Sequence, residues 1–167
     1  MATEADELRW LLRSEDSTAV LHWDKLGAVI WSADVASMPI APALPEIYMI
    51  KVMLDGRYRI YIGEAANLRK RLARYGGRGL ERPNQQGRTT SNMKGRLRRT
   101  LRAGGSAEVY LLRLPIESEA GIHALELDCK DCRITLERLA LSTAYLRREP
   151  IINEHGFPQA LDDDPLQ

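Results

Sequence analysis

The stretch Glu46–Tyr75, EIYMIKVMLDGRYRIYIGEAANLRKRLARY, decides the fold. Its first half reads as a β-hairpin. Ile47–Met53 and Tyr58–Ile62 are rich in β-branched and aromatic residues, which suit a pleated surface. Between them stands Asp55-Gly56, the dipeptide of a two-residue type I′ turn. That turn sets a register: Leu54 faces Arg57, Ile50 faces Tyr61, and Tyr48 faces Gly63. Tyr48 and Tyr61 then share a face as diagonal neighbours, roughly 7–8 Å apart at Cα. Gly63 has no side chain, so a close approach to its backbone is expected.

The second half reads as a helix, with Leu68, Leu72 and Tyr75 on one apolar face. Arg71 and Tyr75 are i, i+4 neighbours, which sets guanidinium beside phenol. The strand enters this helix through Gly63, so the tyrosines, the glycine and Arg71 converge on one patch. An arginine there suits a phosphate, because its planar fork donates two parallel hydrogen bonds.

These residues resemble the GIY-YIG endonuclease superfamily. The first signature stands as Glu46-Ile47-Tyr48, with Glu in place of the usual Gly, and the second is intact as Tyr61-Ile62-Gly63. The two tyrosines are thirteen residues apart, Arg71 falls eight residues after Gly63, and Tyr75 four further on. Glu137, followed sixteen residues later by Asn153, resembles the closing motif, so the likeness spans Glu46–Asn153. Tyr75 stands where some members have His. In the loop where others place a His this chain has Thr89, Thr90 and Ser91.

Net charge is +1, but it is segregated. From Arg69 to Arg102 there are twelve Lys and Arg against one acid, Glu81, while the rest of the chain holds twelve basic and twenty-two acidic residues. A basic band on an acidic body reads as a nucleic-acid footprint, with a solvated basic helix face as the alternative. The residues expected to touch nucleic acid are Gly63, Arg69, Lys70, Arg74, Arg78, Arg82, Arg88, Lys94, Arg98 and Arg99. Length and a hydrophobic content of 44% suit one globular domain. No apolar run reaches the roughly 18 residues of a membrane span, and the first ten residues lack a secretory pattern. A cytoplasmic protein without membrane contact is expected.

Outside the central stretch, residues 3–14 read as a helix, and residues 18–38 as helix or strand. Residues 38–45 hold three prolines in eight positions and form an extended connector. The organisation expected is an N-terminal extension over 1–45 packed on the core, a nuclease-like domain over 46–157, and a disordered acidic tail over 158–167. Residues 76–92 form a long loop, either a DNA-contacting lid or a flexible spacer. Met93, Leu97 and Leu101 mark a second helix that stops at Gly104-Gly105. Ala107–Leu114 reads as a central strand, and Ile122–Cys129 as a one-faced strand or an extension of the next helix. Ile134–Leu146 is apolar nearly all round and reads as a buried helix. The class is α+β: a small, mainly antiparallel sheet of three to four strands flanked by helices.

Glu137 lies on that helix between Ile134 and Leu141, so it either partners a buried Arg or binds a metal. Hydrolysis of a phosphodiester needs a nucleophile, neutralised phosphate charge and in-line geometry. Mg²⁺ (or Mn²⁺) held by one carboxylate serves this, because it keeps most of its waters. The resemblance implies Tyr61 as general base, Tyr48 as its orienting partner, Tyr75 at the phosphate and Asn153 as a hydrogen-bonding support. Arg71 would clamp the phosphate and Glu137 hold the metal. A neighbouring cation is expected to lower the pKa of Tyr61. The function expected is Mg²⁺-dependent cleavage of DNA, as in a stand-alone restriction-type enzyme, acting as a monomer or a dimer. A repair or homing nuclease, or a non-catalytic nucleic-acid-binding module, is the alternative. Cys129 and Cys132 with His123 supply only three zinc ligands; reduced core thiols are the simpler reading. No Ser/His/Asp set and no GxxxxGK phosphate loop occurs.

Overall fold

The computed structural model describes residues 7–13, 18–77, 88–114, 116–118, 121–123 and 126–152. The hairpin lies near the middle of the chain. Its strands are Glu46–Leu54 and Arg57–Ala65, joined by Asp55 and Gly56 at φ 50° and 74°. Both central residues of a type I′ turn need positive φ. The pairing is the one that the turn dictates: Leu54 with Arg57, Ile50 with Tyr61, Tyr48 with Gly63.

In chain order the elements are β1 (Glu7–Arg13), β2 (Thr18–Ala28), β3 (Ile30–Ser32), β4 (Val35–Ser37), β5 (Glu46–Leu54), β6 (Arg57–Ala65), α1 (Leu68–Tyr75), α2 (Arg88–Arg102), β7 (Ser106–Leu112), β8 (Ile116–Ser118), β9 (Gly121–His123) and α3 (Lys130–Leu146). Four antiparallel strands make the centre of the main sheet, in the order β6-β5-β7-β2. Beyond β2 the sheet continues through β8 and β9, while β1 pairs with β2 separately. β3 and β4 form a small hairpin of their own. The class is therefore α+β with three helices among the described residues.

Helices cover both faces. On one, α1 supplies Leu68, Leu72 and Tyr75 and α2 supplies Met93, Leu97 and Leu101, all against Tyr48, Ile50, Val52 and Val109. On the other, Leu136, Ala140, Leu141 and Ala144 of α3 pack on Ile47, Met49, Ile60 and Ile62. Strand β5 is buried on both faces, which explains its nearly unbroken apolar run. The proline-containing connector closes the start of α1, where Leu44 and Pro42 carbonyls accept from the N–H groups of Leu68 and Arg69. The Asn67 side chain completes the cap, accepting from the Lys70 N–H at 3.0 Å.

The structure departs from the sequence reading in several places. The helix expected over residues 3–14 is strand β1, whose Trp10 pairs with Leu21 and packs edge-on against Trp23, centroids 5.3 Å apart. The helical spacing of leucines is overridden by a neighbouring strand offering hydrogen bonds and an aromatic face. Residues 18–28 likewise belong to the sheet itself rather than to an extension lying on it. The strand expected over Ile122–Cys129 is confined to Gly121–His123; Leu127 and Asp128 form a turn and Cys129 caps α3. α3 is not buried all round, since Tyr145 and Leu146 are exposed. α2 begins at Arg88, so Thr89, Thr90 and Ser91 are helical rather than in the loop. The rest of that loop, residues 78–87, and the acidic tail lie outside the described residues. No described helix is long and apolar enough to cross a membrane.

Two glycines test this architecture. Gly56 has φ +74° and open space where a Cβ would be, so its alanine variant bears only backbone strain, about 1–2 kcal/mol. A Cβ at Gly105 would overlap the Met53 carbonyl oxygen and crowd Thr100, forcing α2 away from β5. Gly105→Ala is expected to lower the urea midpoint clearly more than Gly56→Ala. Equal midpoints would show that the α2–β5 approach is looser than described.

Candidate active site at the edge strand

Strand β6 lies at one edge of the sheet, and the candidate residues gather around it. Alternation along β6 points Tyr61 and Gly63 to the α1 face and Ile62 and Glu64 to the α3 face. Tyr48 from β5 and Tyr75 from α1 complete a triangle with Tyr61, the ring centroids 6.1–6.3 Å apart. The Tyr48 and Tyr75 hydroxyls are hydrogen-bonded at 2.6 Å. Both these residues have no exposed surface, whereas Tyr61 retains 7%. Tyr61 is thus the tyrosine that solvent reaches, and the other two form its support.

Gly63 has a specific reason to lack a side chain. A Cβ there would lie 2.8 Å from the Tyr48 hydroxyl oxygen, 2.9 Å from the carbon bearing it and 3.0 Å from the Tyr61 ring. The close approach expected at this glycine is made by Tyr48 of the same molecule. Gly63 is buried beneath the two rings and does not present its backbone to nucleic acid on that face.

Arg71 is half-buried. Burial lowers its pKa, but the three tyrosines and Glu64 more than offset this, and the guanidinium is held firmly charged. The tyrosines move the other way from the sequence expectation. Burial first, then Tyr75, pushes Tyr61 well above the ordinary tyrosine value, and the lowering by Arg71 is the smallest influence. Tyr48 is raised too, by burial and by both ring neighbours. In the resting protein all of this favours neutral hydroxyls at Tyr48 and Tyr61. The reason is geometric: the rings exclude water more effectively than a half-buried arginine compensates.

Glu137 projects from α3 to the same edge. Its carboxyl is raised by burial and then by the like charge of Glu64, with Arg71 and Arg138 pulling it back and the Glu64 backbone N–H donating to it. A buried arginine of the kind expected to partner Glu137 exists, but it pairs elsewhere. Arg133, 5% exposed, donates from Nε to Glu64 Oε2 at 2.8 Å and from Nη1 to the carbonyls of Leu127 and Asp128. Glu64 and Arg133 are the site residues that sequence reasoning missed. The alternation of β6 carried a signal for Glu64, an acid on an otherwise apolar face. Arg133 was hidden because the helix was expected to begin one residue after it. Asn153 lies outside the described residues.

The basic candidates divide. Lys70, Arg74 and Arg99 are exposed along α1 and α2. Arg69 instead donates from Nε to the Ala41 carbonyl at 3.0 Å, and Lys94 is buried. Arg98 donates to the carbonyls of Gly77 at 2.8 Å and Asp34 at 3.4 Å, while Arg102 pairs with the Asp34 carboxylate. Arg98 therefore ties α2 to neighbouring turns rather than standing ready for phosphate. Arg88 opens α2; Arg78 and Arg82 lie outside the described residues.

A divalent cation fits this donor set in one respect. Glu137 is a half-buried carboxylate beside a second acid, and added positive charge would relieve it. Among the described residues no group of three or more His, Cys, Asp and Glu could hold an ion. The arrangement thus suits a cation that keeps its waters and takes one or two carboxylates, not a fully protein-caged one. No family model matches the chain, and neither a curated protein nor a solved structure does.

The charge of Glu137 has a thermodynamic consequence. Because its folded pKa is raised, the folded state holds the proton more tightly than the unfolded chain does. Its contribution to stability is fully present below the ordinary value of 4.5 and is lost as pH rises through the folded value. Glu137→Gln is accordingly expected to raise Tm at pH 7, the gain shrinking as pH falls toward 4.5. Thermal melts across that range would show it; a Gln variant less stable at pH 7 would mean that the carboxylate is a structural ion-pair partner.

Proposed function

We propose that this protein is a divalent-cation-dependent nuclease that hydrolyses phosphodiester bonds in DNA, with a GIY-YIG-like site. The observation that supports it best is the convergence of Tyr48, Tyr61, Tyr75, Arg71 and Glu137 around one sheet edge. A scaffold has no need of a half-buried Glu137 beside a second acid, Glu64. A binding module has none either, and this favours the enzyme over the non-catalytic module.

In this reading Arg71 clamps the non-bridging oxygens of the phosphate, its fork already aligned by α1. Glu137 would hold Mg²⁺, with Glu64 adding negative potential from the adjoining strand. A bound Mg²⁺ would neutralise phosphate charge and supply, beside Arg71, the positive field that the neutral Tyr61 lacks in the free protein. In that field Tyr61 would release its own proton to solvent at its exposed edge, and the phenolate would accept the proton of the attacking water. Tyr48 and Tyr75 hold its ring in place and exclude bulk water from behind it. Glu64 is kept from swinging away by Arg133. Lys70, Arg74 and Arg99 draw in the nucleic-acid backbone.

Plasmid cleavage with and without Mg²⁺ is the deciding experiment. Under single-turnover conditions Tyr61→Phe is expected to lose roughly 10²–10⁴ in rate, the scale of a general base. Tyr48→Phe should lose less, since its hydroxyl faces Tyr75 and not solvent. Glu137→Gln should bind DNA and not cut it. A purified chain that binds DNA but never cuts it with any divalent cation would leave the binding-module reading in its place.

Salt dependence tests the basic surface separately. Removal of one cation that touches a phosphate should flatten the log–log salt slope of duplex binding by about 0.9. Lys70→Ala and Arg74→Ala together are expected to flatten it, and Arg98→Ala to act through stability. A salt-independent wild type would remove the nucleic-acid footprint.

A further inference from the structure

Cys129 and Cys132 are the chain's two cysteines, and neither is in a disulfide. The expectation that they are core thiols fails: Cys129 is exposed and Cys132 half-buried. They sit where α3 begins, Cys129 as the N-cap and Cys132 at the third helical position. This is the spacing over which an N-cap side chain reaches back to the first turn. No side-chain hydrogen bond closes the cap. The open helix start, with the N–H groups of Cys132 and Asp131 and the Cys132 thiol, holds the Cys129 pKa below the ordinary thiol value. Cys132 moves oppositely, raised first by donating its S–H to Cys129. One sulfur is thus prepared as the thiolate and the other stands against it as the proton-bearing partner.

The surrounding chain keeps the two in register. The Cys129 carbonyl accepts from the Arg133 N–H at 3.1 Å, and the Cys129 N–H donates to Glu126 at 3.2 Å. The Arg133 guanidinium, anchored on Glu64, holds the Leu127 and Asp128 carbonyls from the other side. The turn before the pair and the helix turn containing it are therefore fastened to β6.

We propose that Cys129 and Cys132 form a redox-active dithiol at the start of α3, in which Cys129 attacks an incoming disulfide and Cys132 resolves the adduct. In the first step the Cys129 thiolate bonds to one sulfur of the incoming disulfide and the other sulfur leaves as a thiolate. In the second, Cys132 loses its proton to water and attacks the Cys129 sulfur, forming the intrachain disulfide and expelling the second thiolate. The two protein thiols are oxidised by two electrons and the incoming disulfide is reduced by two. This assignment is independent of the nuclease reading, because its measurement does not involve DNA.

The native chain, equilibrated with graded mixtures of oxidised and reduced glutathione, is quenched with an alkylating reagent and weighed intact. Wild type is expected to lose both free thiols together and carry no glutathione. Cys132→Ser should stop with one glutathione on Cys129. Cys129→Ser should react about tenfold more slowly, because the remaining thiol is less ionised. Both positions have exposed or half-exposed side chains, and far-UV circular dichroism verifies that the serine variants fold. Thiols that stay free, a stable glutathione adduct on wild type, disulfide-linked dimers, or equal reactivity of the two single variants would each overturn the proposal.

Discussion

The contact between Gly63 and Tyr48 is the constraint on which the rest of the candidate site depends. The two residues face each other across the hairpin, and the Tyr48 ring lies directly over the glycine. With any Cβ in the way the Tyr48 hydroxyl could not reach Tyr75, and Tyr75 could not close α1 against the sheet. The hydroxyl pair links a strand to a helix twenty-seven residues later, inside a fully buried cluster where an unpaired hydroxyl is costly. Tyr61 is then held between them with only its outer edge wet. One dipeptide turn, Asp55-Gly56, sets this register, and a slip of one residue would put Tyr48 and Tyr61 on opposite faces.

That chain of dependence is local, and it explains which parts were legible in the sequence. The turn dipeptide, the β-branched strands that flank it and the periodicity of α1 and α2 each act over a few residues, and each appears as read. The edge features did not. β1 carries leucines at helical spacing, but its conformation is decided by β2, whose Trp23 meets Trp10. The β3–β4 turn uses Ala33 and Asp34 at φ 49° and 61°, with no glycine to announce it. What holds that turn is α2, through Arg98 and Arg102, sixty-four and sixty-eight residues away from Asp34. No pattern within either segment reports the other.

The same two arginines qualify what the segregation of charge means. A count of basic residues from Arg69 to Arg102 treats them alike, yet the fold commits several to carbonyl oxygens. Arg69 binds the proline connector, and Arg98 binds the turns after α1 and in the small hairpin. The positive field over α1 and α2 survives this, since hydrogen bonding to neutral carbonyls leaves the charge in place. What changes is which side chains can touch a phosphate directly. Lys70, Arg74 and Arg99 are exposed, and side chains held on carbonyls act at longer range, where salt screens them.

Around Glu137 the fold accepts an arrangement that packing alone would not select. Burial and the Glu64 charge both resist its ionisation, and the buried Arg133 on the same helix is committed to Glu64 instead. Exchanging the roles would have given Glu137 the ion pair and left Glu64 nearer solvent. As built, Arg133 neutralises the acid on the strand, and the acid on the helix is left facing Arg71 across the edge. Arg71 is drawn the other way, toward the three tyrosine hydroxyls. Arg71 thus interacts with the tyrosines and with Glu137, and both groups are half-buried. A phosphate with its cation offers the complementary pair: oxygens for the guanidinium, and positive charge for the carboxylate. Charge held in this unsatisfied state is what an electrostatically preorganised site requires, and a structural network would have let it collapse.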